Sequence, residues 1–155
     1  MIREISLSIE NEPGRIYAVA HALADEGVDI AGMNIAGDGQ RGVLRLVVND
    51  LATARRALMN QQLPVRMEKV VAVAVPDEPG GLARVLRPLG YERIDVQSLY
   101  IFRYPPIASA VAVLRTEDDR EAERILVEAG FQVFQDGLPG QTTRRRTRSA
   151  ASKKD

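Results

Sequence analysis

At 155 residues the chain has room for one or two small domains, and with no cysteine it excludes disulfides, thiolate metal sites and a cysteine nucleophile. Its formal net charge of zero hides an asymmetry: residues 141–155 hold six basic side chains (Arg144, Arg145, Arg146, Arg148, Lys153, Lys154) against Asp155 alone, which leaves 15 basic and 20 acidic groups, a net of −5, in residues 1–140. An acidic body argues against a nucleic-acid groove, the charged start Met1-Ile2-Arg3-Glu4 against a secretory segment, and the longest apolar run, Val70–Val75, is too short to span a membrane; a soluble cytoplasmic protein is expected.

In chain order, Ile5, Leu7 and Ile9 alternate with Glu4, Ser6, Ser8 and Glu10, which predicts a strand with one buried face. Pro13-Gly14 ends it and opens a helix on which Ile16, Val19, Ala20 and Leu23 recur at helical spacing, with Gly27 as a left-handed stop. A strand over about residues 29–36, a glycine-rich hairpin turn at 37–42 and a strand Val43–Val48 follow. A second helix around Ala54 and Leu58 and a fourth strand from Pro64-Val65 complete the unit.

The order then repeats without a linker: strand Val71–Val75, the turn Pro79-Gly80, a helix with Leu82, Val85, Leu86 and Leu89 on one face, strands near residues 95–102 and 108–115, a helix Arg120–Ala129 and a last strand Phe131–Gln135. At a fixed offset of 66, residues 11–35 lie over 77–101 with eight identities in 25, among them Glu12/Glu78, Pro13/Pro79 and Gly14/Gly80. Later the offset is 68 (Ala54/Ala122, Leu58/Leu126), the extra residues falling near Tyr104-Pro105-Pro106. The duplication predicts an α+β chain of two tandem ferredoxin-like βαββαβ domains, residues 1–68 and 69–138, with antiparallel sheets and helices on one face. Residues 139–155 are expected to be a disordered basic tail, since residues 141–155 lack a large apolar anchor. The stretch Val70–Val75 is apolar on both faces, so the face carrying Val70, Ala72 and Ala74 is expected to be covered by a second subunit. In the second copy Pro88 stands where the first has Ala22, which predicts a helix ended or kinked a turn early with Gly90 as its stop, and Arg93 replaces Gly27.

The element with chemical content is the turn [Asn/Asp]-Glu-Pro-Gly between first strand and first helix. Proline fixes the exit from the strand, glycine removes the side chain where backbone turns or approaches a ligand, and the helix start presents unpaired N–H groups to a carboxylate. The plainer account is a capped turn in which Asn11 or Asp77 satisfies nearby amides. Two such turns in register favour the binding reading.

These residues resemble the ACT domain, the small-molecule sensing module of amino-acid metabolism, and more narrowly the stand-alone tandem ACT proteins. The resemblance rests on Asn11-Glu12-Pro13-Gly14-Arg15-Ile16, Gly27-Val28-Asp29-Ile30, Asp77-Glu78-Pro79-Gly80-Gly81-Leu82, Ile94-Asp95-Val96 and Glu128-Ala129-Gly130-Phe131, and covers residues 1 to about 138. The Asn-x-Pro-Gly form also resembles the regulatory subunits of acetolactate synthase. The resemblance implies a non-catalytic regulatory protein, a likeness of fold and role that brings no cofactor and no metal. It implies a free amino acid held at an interface between ACT units, its carboxylate on the turns Asn11, Glu12, Pro13, Gly14, Arg15 and Asp77, Pro79, Gly80, Gly81, Leu82. Second strands would complete the pocket, here Met33, Asn34, Ile35 and Ser98, Leu99, Tyr100, with Asn11, Asn34 or Asp77 receiving the ammonium. Few ionic side chains stand at these positions, which favours a small or apolar amino acid, branched-chain ones included. A homodimer and a metabolic enzyme as partner complete the expectation.

Other features carry less. His21 falls off the apolar stripe of its helix and reads as solvated, the Gly37–Gly42 stretch lacks the Lys-Ser/Thr ending of a phosphate loop, and Glu117-Asp118-Asp119 suits a helix N-terminus. RNA-recognition proteins share the βαββαβ order but stack bases on aromatics of the third strand. Here Val43–Val48 and Ala108–Leu114 contain none. The alternatives retained are a ligand-free dimeric scaffold and a nucleic-acid-associated protein acting through its tail; no nucleophile–base pair supports an enzyme.

Overall fold

The computed structural model describes residues 1–142. Its elements are β1 (Ile2–Glu10), α1 (Arg15–Asp25), β2 (Ile30–Gly37), β3 (Arg41–Val48), α2 (Leu51–Asn60), β4 (Val65–Val75), α3 (Gly81–Tyr91), β5 (Val96–Arg103), β6 (Ala110–Thr116) and α4 (Asp119–Glu128). The strands form one six-stranded antiparallel sheet in the order β2-β3-β1-β4-β6-β5. The two units share β4: Val65–Val70 pair with β1, and Val71–Val75 pair with β6. What reads in sequence as a missing linker is therefore one continuous strand.

The helices follow the predicted periodicity, except that Ile16 at the start of α1 is exposed. Ile5, Leu7 and Ile9 pack with Val19 and Leu23 of α1 and with Ala54 and Leu58 of α2. Val71, Val73 and Val75 pack with Val85 and Leu89 of α3 and with Ala122 and Leu126 of α4.

On the opposite face the structure corrects the sequence. Val70 and Ala72 are fully buried, but by the chain itself: Val47, Tyr100, Val111, Val113, Phe134 and Leu138 close over them as a third core. Strand twist accumulates across a sheet, and here it coils the sheet until its two edge strands approach. Phe102 of β5 lies so close to Gly32 of β2 that a Cβ on the glycine would stand 2.5 Å from the ring. The apolar strand that suggested a second subunit is thus satisfied within one chain.

Three local expectations also change. Phe131–Gln135 forms no strand; Val133 makes a single bridge to Val73, with the Phe134 N–H donating to the Ala72 carbonyl at 2.9 Å. The Ala74 N–H also donates to the Gln132 carbonyl at 2.9 Å, and the pairing goes no further. Helix α3 is not shortened by Pro88: it has 11 residues, as does α1. Pro88 sits in the last turn, where its missing N–H forfeits one bond, and the Glu92 N–H still donates to the Pro88 carbonyl at 3.1 Å. Arg93 (φ +58°) then makes the left-handed stop that Gly27 (φ +69°) makes in α1, at a strain of about 1 kcal/mol for a side chain there. Finally, residues 139–142 are held rather than free: the Gln141 amide donates to the Val48 carbonyl at 2.8 Å and the Thr142 N–H to the Asn49 carbonyl at 2.6 Å. The rest of the expected tail, 143–155, lies outside the described residues. Among the described residues no helix is long and apolar enough to cross a membrane.

Candidate functional site

Both Pro-Gly turns adopt one geometry. Gly14 (φ +84°) precedes α1 and Gly80 (φ +81°) precedes α3, each in the left-handed region. No atom lies within 4 Å of a Cβ built on either residue; glycine is required here by backbone conformation, not by crowding. In the first turn the Arg15 N–H donates to the Glu12 carbonyl (3.1 Å) and the Ala18 N–H to the Gly14 carbonyl (2.9 Å). The Ile16 and Tyr17 N–H groups between them have no partner among the described residues. The second turn repeats this bond for bond, Gly81 to Glu78 and Arg84 to Gly80, each at 3.0 Å, with the Leu82 and Ala83 N–H groups open.

The other two helices are capped by a side chain. Asp50 accepts from the Thr53 N–H at the start of α2, and Asp118 accepts from the Arg120 and Glu121 N–H groups at the start of α4. The contrast has chemical meaning. A helix N-terminus carries about half a positive charge, and neither α1 nor α3 has an acidic residue in its first turn. Two open amides at such an end are a complement to a carboxylate.

The residues singled out by sequence have different tasks. Asn11 does not cap its helix: its side chain donates to the Gly39 carbonyl at 2.8 Å and its N–H to the Gln40 carbonyl at 2.9 Å, tying the turn to the β2–β3 hairpin. Asp77 does the equivalent through Arg103, at 3.0 Å, at the end of β5. Each turn is thereby fixed beside the end of its own second strand. Glu12, Pro13 and Pro79 are exposed. Arg15 brings a guanidinium to the first turn, 4.0 Å from both Glu10 and Glu12. Gly81 cannot, because a Cβ there would stand 2.0 Å from the Pro76 carbonyl oxygen. Leu82 and Leu99 are half-buried against the second core, and Asn34 and Ser98 are half-buried on their strands. Met33, Ile35 and their counterpart Ile101 are exposed on the edge strands. Tyr100 faces the third core instead, and its side chain is not at the strand edge.

Tyr100 leads to a feature that alternation concealed. Glu4 is fully buried on the helix-free face, where it accepts from the Tyr100 hydroxyl (2.8 Å) and the Arg115 Nε (3.2 Å), with Arg45 3.8 Å away. Arg115 also pairs with Glu68, which lies directly across from Glu4 in the β1–β4 ladder. Burial pushes the Glu4 carboxyl above the ordinary range, outweighing the hydrogen bonds from Tyr100 and Arg115. Burial, and then the Glu4 charge, push the Tyr100 hydroxyl far upward. Glu4 and Arg45 come from the first copy, Tyr100 and Arg115 from the second, so this network joins the copies. Arginines in the middle of apolar strands were the sequence signal for it.

His21 is exposed and sits 3.0 Å from Asp25 on the same helix. Among the described residues no group of three His, Cys, Asp or Glu side chains could hold a metal ion. The Gly37–Gly42 stretch is a hairpin turn in which the Asp38 carboxylate accepts from the Gln40 and Arg41 N–H groups at 3.3 Å.

The family described as ACT domain pair matches residues 1–138. Among solved structures, a protein from Bacteroides thetaiotaomicron is similar at 28% identity over 86% of this chain and 91% of its own, with a TM-score of 0.77. The ligand-free regulatory subunit of aspartate kinase from Thermus thermophilus is similar in fold at 18% identity, over 82% and 91% of the two chains, with a TM-score of 0.56. Aspartokinase alpha and beta subunits give 20% identity over 83% and 91%, and 0.54. None of the curated proteins compared with the chain matches it.

Proposed function

The chain belongs to the ACT domain pair family, and from that premise we propose that it is a non-catalytic sensor that binds a free amino acid at its Pro-Gly turns and passes occupancy to a partner protein. The observation that carries the reading is the contrast among its four helix starts: α2 and α4 are capped by aspartate, whereas α1 and α3 keep two open amides each. The ligand's carboxylate would sit on the Ile16 and Tyr17 amides, or on those of Leu82 and Ala83, with a guanidinium beside each turn, Arg15 at the first and Arg84 at the second. Exposed Met33, Ile35 and Ile101 beside the turns favour a small or apolar side chain, branched-chain amino acids included. A homodimer is the working assembly, with the exposed Met33, Ile35 and Ile101 of the edge strands as the surface a second copy would cover. Its output is linkage: an amino acid that fits one packing of the units better than another shifts the population toward it. A metabolic enzyme is the proposed recipient, by analogy with the regulatory subunit of aspartate kinase that shares the fold.

A thermal-shift screen against the twenty amino acids tests this. A ligand at a hundredfold excess over its Kd should raise stability by about 2.7 kcal/mol, and Gly14→Val or Gly80→Val should remove the shift at the altered turn. No shift with any amino acid would favour the scaffold reading.

A further inference from the structure

The C-terminal segment makes contacts with both copies. Phe134 and Leu138 are buried in the third core, 6% and 4% exposed. Beyond them the Tyr104 hydroxyl, just past β5, donates to the Pro139 carbonyl. The segment then crosses to the first copy. The Gln141 side chain donates to the Val48 carbonyl at 2.8 Å while its own Oε1 accepts from the Leu138 N–H at 3.0 Å. Thr142 donates its N–H to Asn49 (2.6 Å) and accepts from the Leu51 N–H (3.3 Å), the first amide of α2. Asn49 in turn holds Asp29 in both directions, at 2.9 and 3.1 Å, immediately before β2. One short segment thus runs from the end of β5 to the root of β2, above the point where Phe102 meets Gly32.

We propose that Phe134–Thr142 is a latch that holds β2 of the first copy against β5 of the second, and that its docking sets how strongly the two Pro-Gly turns are coupled. The coupling half rests on the sensor reading above, because each turn is tied to the end of one of these strands. The latch half does not.

Hydrogen exchange read by mass spectrometry tests the latch without any ligand. In the full chain carrying Gln141→Ala and Thr142→Pro, peptides over β2 and β5 should exchange at least tenfold faster, with those over α3 and α4 unchanged. A chain ending at Thr142 should match the native protein. Unchanged β2 and β5 exchange in the double variant would overturn the latch. For the coupling, the amino acid with the largest thermal shift is titrated calorimetrically. The native chain should show two unequal or cooperative steps, and the double variant two independent ones. Identical isotherms would overturn the coupling. If none of the twenty binds, the sensor reading fails and the coupling with it, while the exchange result still decides the latch.

Discussion

In the first copy the residue after the turn glycine is Arg15, whose guanidinium lies 4.0 Å from Glu10 and Glu12; in the second it is Gly81, where a Cβ would collide with the Pro76 carbonyl. Around that difference the backbone is the same: left-handed Gly14 and Gly80, the same return bonds, and the same two open amides. The helix stops differ freely, Gly27 against Arg93 at one pair and Gln62 (φ +58°) against Gly130 (φ +85°) at the other. A stop needs only one residue in the left-handed region, and a side chain there costs about 1 kcal/mol. The turn, in contrast, keeps glycine in both copies and keeps a guanidinium beside its glutamate, from Arg15 in the first and from Arg84 in the second. Duplication has preserved the amide geometry while moving the guanidinium along the helix, from Arg15 beside Glu12 to Arg84 beside Glu78.

The comparison breaks most readily at what joins the copies. Arg115→Met should destabilise the protein by about 3 kcal/mol or more at neutral pH in chemical denaturation, because it leaves buried Glu4 without its nearest guanidinium; a loss under 1 kcal/mol would show that the network relaxes. Glu4 also sets a pH dependence. Its folded pKa is raised, so its contribution is fully present below the ordinary glutamate value of about 4.3 and is lost as pH rises through the folded value. The stability of Glu4→Gln relative to the native chain should therefore climb with pH across that window, and a flat difference would refute the assignment.

Next in size is Gly32, whose counterpart in the second copy is Ser98. Gly32→Val should cost about 1–3 kcal/mol by overpacking against Phe102, whereas Ser98→Val should cost clearly less. Equal losses would mean that the close approach of β2 and β5 is not rigid. The smallest effect is at the helix stops: Arg93→Gly should stabilise by no more than about 0.5 kcal/mol, the strain relieved less the entropy that glycine adds to the unfolded chain. A destabilised variant would show that the Arg93 side chain contributes more than its strain costs.

Local pattern made the duplication, the helix faces and the turns legible, because each is decided within a few residues. What it missed was decided by coiling of the whole sheet. The alternation of Glu4 and Ser6 with Ile5 and Leu7 reads as a solvent face, yet both polar residues are buried once Tyr100 and Arg115 arrive from the other copy. The same closure explains why Val70 and Ala72 need no second subunit. Pro88 misled in a different way. Its effect depends on its place in the helix, and in the last turn a lost bond no longer ends anything. At the candidate site, sequence located the turns, but Asn11 and Asp77 do not cap their helices: both hold their turns to the neighbouring hairpins.

The most direct test follows the backbone amides by nitrogen–proton correlation NMR as the bound amino acid is titrated. The Ile16, Tyr17, Leu82 and Ala83 signals should show the largest downfield changes, with Gly14→Val abolishing the first pair alone. Largest changes elsewhere, such as the open hollow between Ser8, Gly37 and Arg41, with the four turn amides unmoved, would contradict the account.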